Sequence, residues 1–281
     1  MALSILNNVS ALVAENQLNT TQTSLQKTLY QLASGSRINS GADDAAGLAI
    51  ADGLQANITA LTQSERNAND GVGQMQVADG ALSQVTSLLN RAVTLATESA
   101  TGTVNTTQRQ ALDAEFTSIK AEITSIGQNT TFNGTSVFSG NTTSIFLSDS
   151  STKAITNITV SVGALSAAGI GPTTGTPVNL TSDALTSASG AQTALTDINS
   201  AIAQVASMRG TVGAAINRLQ AANNVMSNQV QNLTSAEDGI RAADVGQDVA
   251  DMSKFNILTQ TGMAALAQAN SSQQAVLTLL R

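Results

Sequence analysis

Adjacent carboxylates are the groups in this sequence best suited to acid–base chemistry, and they occur at Asp43-Asp44 and at Glu237-Asp238. A working acid–base pair needs surroundings that push its two pKa values apart. Both pairs lie among Gly and Ala in segments that read as connectors, and no neighbouring motif would separate their pKa values. We therefore expect these carboxylates to cap helix ends rather than to catalyse a reaction.

Other catalytic and metal-binding arrangements are excluded by composition. The chain has no Cys and no His, which rules out disulfides, zinc–cysteine centres and Cys or His catalysis. The segment from Asn67 to Gly71 (NANDG) is faintly similar to a calcium loop, but its ligand spacing is wrong. No phosphate-binding loop or dinucleotide motif occurs. The sequence predicts no enzyme, no cofactor and no metal site.

Charge and hydropathy narrow the classes of partner. Among 281 residues only 11% are charged and 2% are aromatic, and the net charge is −7 with no basic stripe. These values argue against binding of nucleic acid. No apolar run approaches the length of a membrane span, and Lys27 is the first basic residue, so no Sec-type signal is visible. We expect no membrane insertion and, if the protein is extracellular, export without a cleaved Sec signal.

Two long stretches carry a heptad pattern that predicts long helices. Apolar residues recur at three- and four-residue steps from Leu54 to Ala96 and again from Leu195 to Leu233. Met75, Met208 and Met226 lie in or beside these stretches, and we interpret them as core residues. A shorter helix is predicted over 108–127. The simplest arrangement is an antiparallel pair of long helices.

The two ends of the chain carry apolar seams of their own. Chain termini are usually frayed and polar, so these seams predict a surface that other copies complete. In the N-terminal helix the seam comprises Ile5, Val9, Leu12, Leu25, Leu29 and Leu32. In the C-terminal helix it comprises Phe255, Leu258, Gly262, Ala265, Ala269, Ser272, Val276 and Leu279.

Between the long helices lies a short segment with β character. Asn133-Gly134 predicts a tight reversal, and Ile145 to Leu147 and the alternating Ile158, Val160 and Val162 predict short strands. The predicted fold is mainly α: an antiparallel long-helix coiled-coil rod, paired terminal helices and a small β-hairpin-rich insert. The predicted divisions are 1–44 (terminal helix and connector), 45–138 (rod), 139–180 (insert), 181–236 (rod) and 237–281 (connector and terminal helix). The connectors are predicted at Ser34 to Asp44 and at about Glu237 to Val249.

Several motifs at both ends closely resemble those of bacterial flagellins. At the N-terminal end these are Asn8-Val-Ser-Ala-Leu12, Leu32-Ala-Ser-Gly-Ser-Arg-Ile-Asn39, Asp43-Asp-Ala-Ala-Gly-Leu-Ala-Ile50 and the turn Phe132-Asn133-Gly134. At the C-terminal end they are Leu266-Ala-Gln-Ala-Asn270, Val276-Leu277 and Leu279-Leu280-Arg281. The likeness covers about 1–140 and 185–281, and its motifs fall in the family order.

The resemblance implies a structural subunit that is exported by the flagellar type III apparatus and polymerises into the extracellular filament used for swimming. It implies a helical homopolymer, with an export chaperone, a cap and hook-junction proteins as further partners. It also implies recognition by Toll-like receptor 5 through Arg91, Leu95 and Glu115, with axial packing of subunits as the other use of these residues. A hook–filament junction protein is the alternative identity, and an adhesive role stays open for the insert.

Overall fold

The computed structural model of the chain describes residues 8–148, 157–172 and 176–279, and the side chains of these residues up to 275. Over these ranges there are five helices, α1 (Val9–Ser34), α2 (Ala45–Ala100), α3 (Thr106–Asn129), α4 (Ala188–Arg241) and α5 (Val245–Leu279). The chain forms two compact units, a terminal unit of 1–56 with 232–281 and a central unit of 57–231. The predicted mainly-α class with long helices is confirmed.

In the terminal unit, α1 and α5 pack as an antiparallel pair. Near one end Asn8 Nδ2 donates to Ala269 O at 3.2 Å, and at the other end Ala243 N donates to Gly35 O at 3.1 Å. Gly35 ends α1 in the left-handed conformation (φ 67°), which glycine adopts without a steric penalty. The predicted side-by-side placement of the two terminal helices is therefore confirmed.

Hydroxyl side chains on α1 bond to their own helix. Thr21 and Thr28 are the buried residues of α1, and their hydroxyls donate to Gln17 O at 2.8 Å and Ser24 O at 3.1 Å. Further hydroxyls of α1 bond in the same way to the carbonyl four residues earlier, namely those of Thr20, Thr23 and Ser24. These bonds satisfy the hydroxyl donors where the helix is covered.

A connector separates α1 from α2, and the connector between α4 and α5 is much shorter than predicted. Residues 35–44 separate α1 from α2, and Asp44 caps α2 by accepting from Gly47 N at 2.9 Å. The second connector, predicted from Glu237 to Val249, is reduced to 242–244, because α4 runs on to Arg241. Glu237 and Arg241 are good helix formers, and they pair at 3.4 Å across one turn, so the helix continues through Gly239.

The central unit is built on an antiparallel contact between α2 and α4. Arg209 donates to both oxygens of Asp79, at 2.8 and 3.3 Å, and Asn223 Nδ2 donates to Asn69 Oδ1 at 3.2 Å. The predicted seams supply the core between them, which includes Leu61, Ala68, Met75, Leu82, Val85, Leu89, Ile198, Val205, Met208, Val212, Leu219 and Met226, all buried. The prediction that these three methionines pack in the core is confirmed.

Helix α3 completes the helical core of the central unit. Asn105 and Gln108 form a reciprocal capping box at its N-terminus. Phe116, Ile119 and Ile123 are buried at three- and four-residue spacing, which places the apolar stripe of α3 against the core. The predicted range of 108–127 falls within this helix.

Among the described residues six short strands form three antiparallel pairs, one just before the insert and two within it. They are β1 (Thr131–Phe132), β2 (Thr135–Ser136), β3 (Thr142–Phe146), β4 (Asn157–Ser161), β5 (Ala164–Ser166) and β6 (Gly169–Gly171). Asn133 and Gly134 both have positive φ, 48° and 76°, as a type I′ reversal requires. The predicted turn and the strands containing Ile145 and Ile158 are confirmed, whereas β5 and β6 were not foreseen.

Hairpin β5–β6 lies directly on α3. Ala167 N donates to Thr124 Oγ1 at 3.0 Å. A Cβ added to Gly127 of α3 would overlap the main-chain oxygen of Leu165. The absence of a side chain at this one position allows the strand to approach the helix so closely.

Candidate functional site: an assembly surface

The terminal unit carries large apolar side chains that its own helix pairing leaves in solvent. On α1 they include Val9, Leu12, Val13, Leu29 and Tyr30, and on α5 they include Ile257, Leu258 and Met263. Their exposed fractions run from 42% at Leu258 to 64% at Ile257. We call these eight residues the exposed apolar set. Large exposed apolar groups gathered on one unit are typical of an interaction site.

The residues of the predicted seam divide between the internal contact and the solvent. Val9, Leu12, Leu29, Leu258, Ala265 and Ser272 are exposed, whereas Leu25, Leu32, Phe255, Gly262 and Ala269 are half-buried. A Cβ built on Gly262 would lie 3.3 Å from Leu18 Cδ1, so this glycine faces α1. Ile5 lies outside the described residues, as do the side chains of Val276 and Leu279. About half of the described seam therefore remains available to a partner.

The internal contact uses residues that apolar periodicity does not detect. Thr21 and Thr28 of α1 are 4% and 6% exposed, more deeply covered than any seam leucine of that helix. A hydroxyl residue counts as polar in a hydropathy pattern, although its methyl group and internal hydrogen bond suit it to burial. The signal that could have found these two threonines is their spacing of three and four residues from Leu25 and Leu32.

Charged side chains hold the connector between α1 and α2 in place. Lys27 Nζ lies 2.7 Å from Asp43 Oδ1, and Asp43 Oδ2 accepts from Ser40 N and Ser40 Oγ at 3.1 and 3.0 Å. The hydrogen bond from Lys27, followed by that from Ser40, lowers the pKa of Asp43 to about 2. Arg37 Nη2, also in this connector, donates to Ile240 O of α4 at 2.7 Å.

The three residues of the predicted receptor site have different surroundings. Arg91 and Glu115 form a bidentate ion pair, with 2.7 Å from Nε to Oε1 and 3.1 Å from Nη2 to Oε2. Both side chains are about half exposed, and the Arg91 guanidinium lowers the pKa of Glu115. Leu95 is 1% exposed and belongs to the core. The ion pair is thus on the surface, whereas the leucine is buried in the core.

The two pairs of adjacent carboxylates lie at the start of a helix or inside one. Asp44 caps α2 as predicted, while Glu237 and Asp238 lie inside α4 rather than in a connector. Among the described residues, no three His, Cys, Asp or Glu side chains are grouped so as to hold a metal ion. Over the same residues, no helix has the length and apolar character needed to span a bilayer.

Comparison with known families agrees with the motifs at the two ends. The family described as the bacterial flagellin N-terminal helical region matches residues 5–143, and the bacterial flagellin C-terminal helical region matches residues 195–280. Flagellin of Bacillus subtilis strain 168 is 34% identical and aligns over 98% of this chain and 99% of its own length.

Two further proteins are similar to this chain. The flagellar filament 33 kDa core protein of Treponema phagedenis is 32% identical over 98% of this chain and 99% of its own length. The crystal structure of Bacillus cereus flagellin is 29% identical, with a TM-score of 0.49, and covers 61% of this chain and 94% of the crystallised one.

Proposed function

The chain belongs to the bacterial flagellin family, and on that premise we propose that its exposed apolar set is a surface through which successive copies join. The protein is a structural subunit of the flagellar filament. The two family regions cover residues 5–143 and 195–280, so nearly all of the terminal unit falls within them.

The observation that carries the proposal is the exposure of large apolar side chains on both terminal helices. Leu12 and Ile257 are 57% and 64% exposed, and full burial of such a side chain contributes about 1.5–3 kcal/mol. Eight such residues supply a substantial driving force for association. A head-to-tail contact between identical subunits does not close on itself, so it generates a helical filament.

Membership of the family also suggests how the chain is exported and which other proteins contact it. We propose that the chain leaves the cell through the flagellar export apparatus and acts in the extracellular filament. We propose further that an export chaperone, the cap and the hook-junction proteins contact it on the way. The terminal helices, with their exposed apolar side chains, are the part of the chain best suited to such contacts. The hook–filament junction alternative has no observation in its favour.

Recognition by Toll-like receptor 5 is proposed for the surface around Arg91 and Glu115. Their ion pair is half exposed, so both charged groups can reach a partner, whereas Leu95 acts by supporting the helix from within the core. Axial packing between subunits is the other proposed use of this ion pair. Both uses are compatible when the receptor meets free monomer.

Seeded polymerisation of purified full-length monomer tests the assembly surface. We expect Leu12→Glu to abolish elongation from filament seeds, because it places a charge in an interface that must exclude water. The matched control is Gln22→Glu, an isosteric change at an exposed position of the same helix, which should leave elongation nearly unchanged. Normal elongation of Leu12→Glu would remove α1 from the interface. Short rings in place of long filaments would favour the junction protein.

A further inference from the structure

The described methionines differ sharply in their exposure to solvent. Met75, Met208 and Met226 lie in the core between α2 and α4, and none of them is more than 4% exposed. On α5, Met252 is half-buried, whereas Met263 is 51% exposed. Among the residues that the structure describes, Met263 is therefore the methionine that a dissolved reagent reaches most easily.

The composition of the chain makes methionine the main target of a mild oxidant. The sequence has six Met and one Tyr, and it has no Cys, Trp or His. No thiol is therefore present to react with peroxide before a thioether does. Because oxidation follows exposure, a low concentration of peroxide should convert Met263 well before the three core methionines.

Met263 lies at the edge of the contact between α1 and α5. The preceding residue, Gly262, faces α1, since a Cβ built on it would lie 3.3 Å from Leu18 Cδ1. Leu266, about one turn later, is half-buried. Met263 also belongs to the exposed apolar set, so a copy that packs across both terminal helices would cover its side chain. The unbranched, flexible thioether adapts well to such packing.

We propose that Met263 is an oxidation site that controls assembly: the monomer joins the filament with its thioether intact and fails to join as the sulfoxide. This inference rests on the proposed function, because the effect requires the exposed apolar set to be the joining surface. Oxidation turns an apolar side chain into a polar one. Burial of the new S–O group without a hydrogen-bond donor then opposes association.

The reaction balances with hydrogen peroxide as the oxidant. The sulfur of Met263 attacks one peroxide oxygen, and an S–O bond forms as the O–O bond breaks. The proton on the transferred oxygen passes to the departing hydroxide, which leaves as water. Sulfur loses two electrons and the peroxide gains them. A methionine sulfoxide reductase reverses the change, with a dithiol oxidised to its disulfide and the oxygen released as water.

Peroxide treatment of the full-length monomer tests the proposal. Peptide masses should show sulfoxide at Met263 before Met75, Met208 or Met226 reacts. The monomer concentration left in equilibrium with seeded filaments should rise about tenfold or more over the untreated portion. Treated Met263→Leu should match its own untreated portion, and the control Met252→Leu should stay as sensitive as the parent. An equal rise in Met263→Leu, or no rise in the parent after full conversion of Met263, would overturn the proposal.

Assembled filaments and enzymatic repair give two further readouts. In filaments the same peroxide treatment should leave Met263 largely unoxidised, and equal rates of oxidation in filament and monomer would contradict its burial there. Methionine sulfoxide reductase with dithiothreitol should restore assembly of oxidised monomer; the chain has no Cys for the dithiol to alter. Oxidised monomer that stays inactive after complete repair would contradict control by the sulfoxide.

Failure of this inference is distinct from failure of the proposed function. Normal elongation of Leu12→Glu would count against the joining surface on α1. An inactive Leu12→Glu, together with oxidised parent that polymerises normally, would remove only the role assigned to Met263.

Discussion

Gly127 of α3 lies directly beneath the main chain of Leu165, and the carbonyl oxygen of Leu165 fills the space that a Cβ at residue 127 would need. Because the obstacle is main chain, rotation of a side chain cannot relieve it. Gly127→Ala should therefore displace hairpin β5–β6 and lower the free energy of unfolding by about 1–3 kcal/mol. Urea denaturation of the monomer measures the change.

The control for Gly127→Ala is Gly210→Ala in α4. Nothing lies within 4 Å of a Cβ added to Gly210, so this change should raise the free energy of unfolding by about 0.5–1 kcal/mol through the gain in helix preference. Equal effects of the two substitutions would mean that the insert is not docked on α3 in solution.

The ion pair between Lys27 and Asp43 predicts acid sensitivity in the first connector. The pKa of Asp43 is lowered from 3.8 to about 2. Its stabilising contribution is therefore complete above about pH 3.8 and is lost as the pH falls through about 2. In Lys27→Met the NMR titration of Asp43 should move upward, whereas Lys254→Met, at an exposed position of α5, should leave it in place. An unchanged titration in Lys27→Met would contradict the ion pair.

The terminal helices should gain protection when the filament forms. In α1 the buried side chains are two threonines, while ordering each residue costs about 1–2 kcal/mol in backbone entropy. Amide exchange of residues 9–32 should thus be faster in the monomer than in the filament, because the pairing of α1 with α5 alone holds the helix only weakly. The amides of Val205 and Val212, in the buried row of α4, should be protected in both. Strong protection of residues 9–32 in free monomer would contradict this.

The exposed ion pair predicts which residues a receptor can contact. Arg91→Ala and Glu115→Ala should each lower the potency of monomer at Toll-like receptor 5 by about tenfold or more, as loss of a central charged contact does. Arg66→Ala, an exposed arginine elsewhere on α2, serves as the control. Leu95→Ala should act differently, since loss of this buried side chain costs about 2–5 kcal/mol of stability. Full potency of both charge variants would exclude this surface.

Periodicity and turn chemistry were sufficient to predict most of the fold. Helix α2 was predicted across Gly71 and Gly73 because a seam sustained from Leu54 to Ala96 outweighs two unfavourable residues. The Asn133-Gly134 reversal was predicted because few other residue pairs adopt positive φ so readily. These features are local, so the sequence alone expresses them.

Features that depend on tertiary contacts were missed. Hairpin β5–β6 consists largely of Ala, Gly and Ser, which carry little strand signal, and it exists because Gly127 offers a close contact. Residues 237–241 resemble a connector in composition, yet they continue α4. The burial of Leu95 and Asp183 likewise depends on neighbours that are distant in sequence. Apolar periodicity could not separate the half of the terminal seam that pairs internally from the half that stays exposed.

The hydroxyls of α1 have a consequence for how two subunits can meet. Thr20 and Thr23 are exposed and Ser24 is half-buried, and each already donates to a carbonyl of its own helix. A neighbouring helix can therefore cover this surface without having to supply an acceptor at any fixed position. Sliding by a fraction of a turn breaks no bond between the two chains. Such an interface tolerates small changes of registry, so a long filament can bend while its subunits remain in contact.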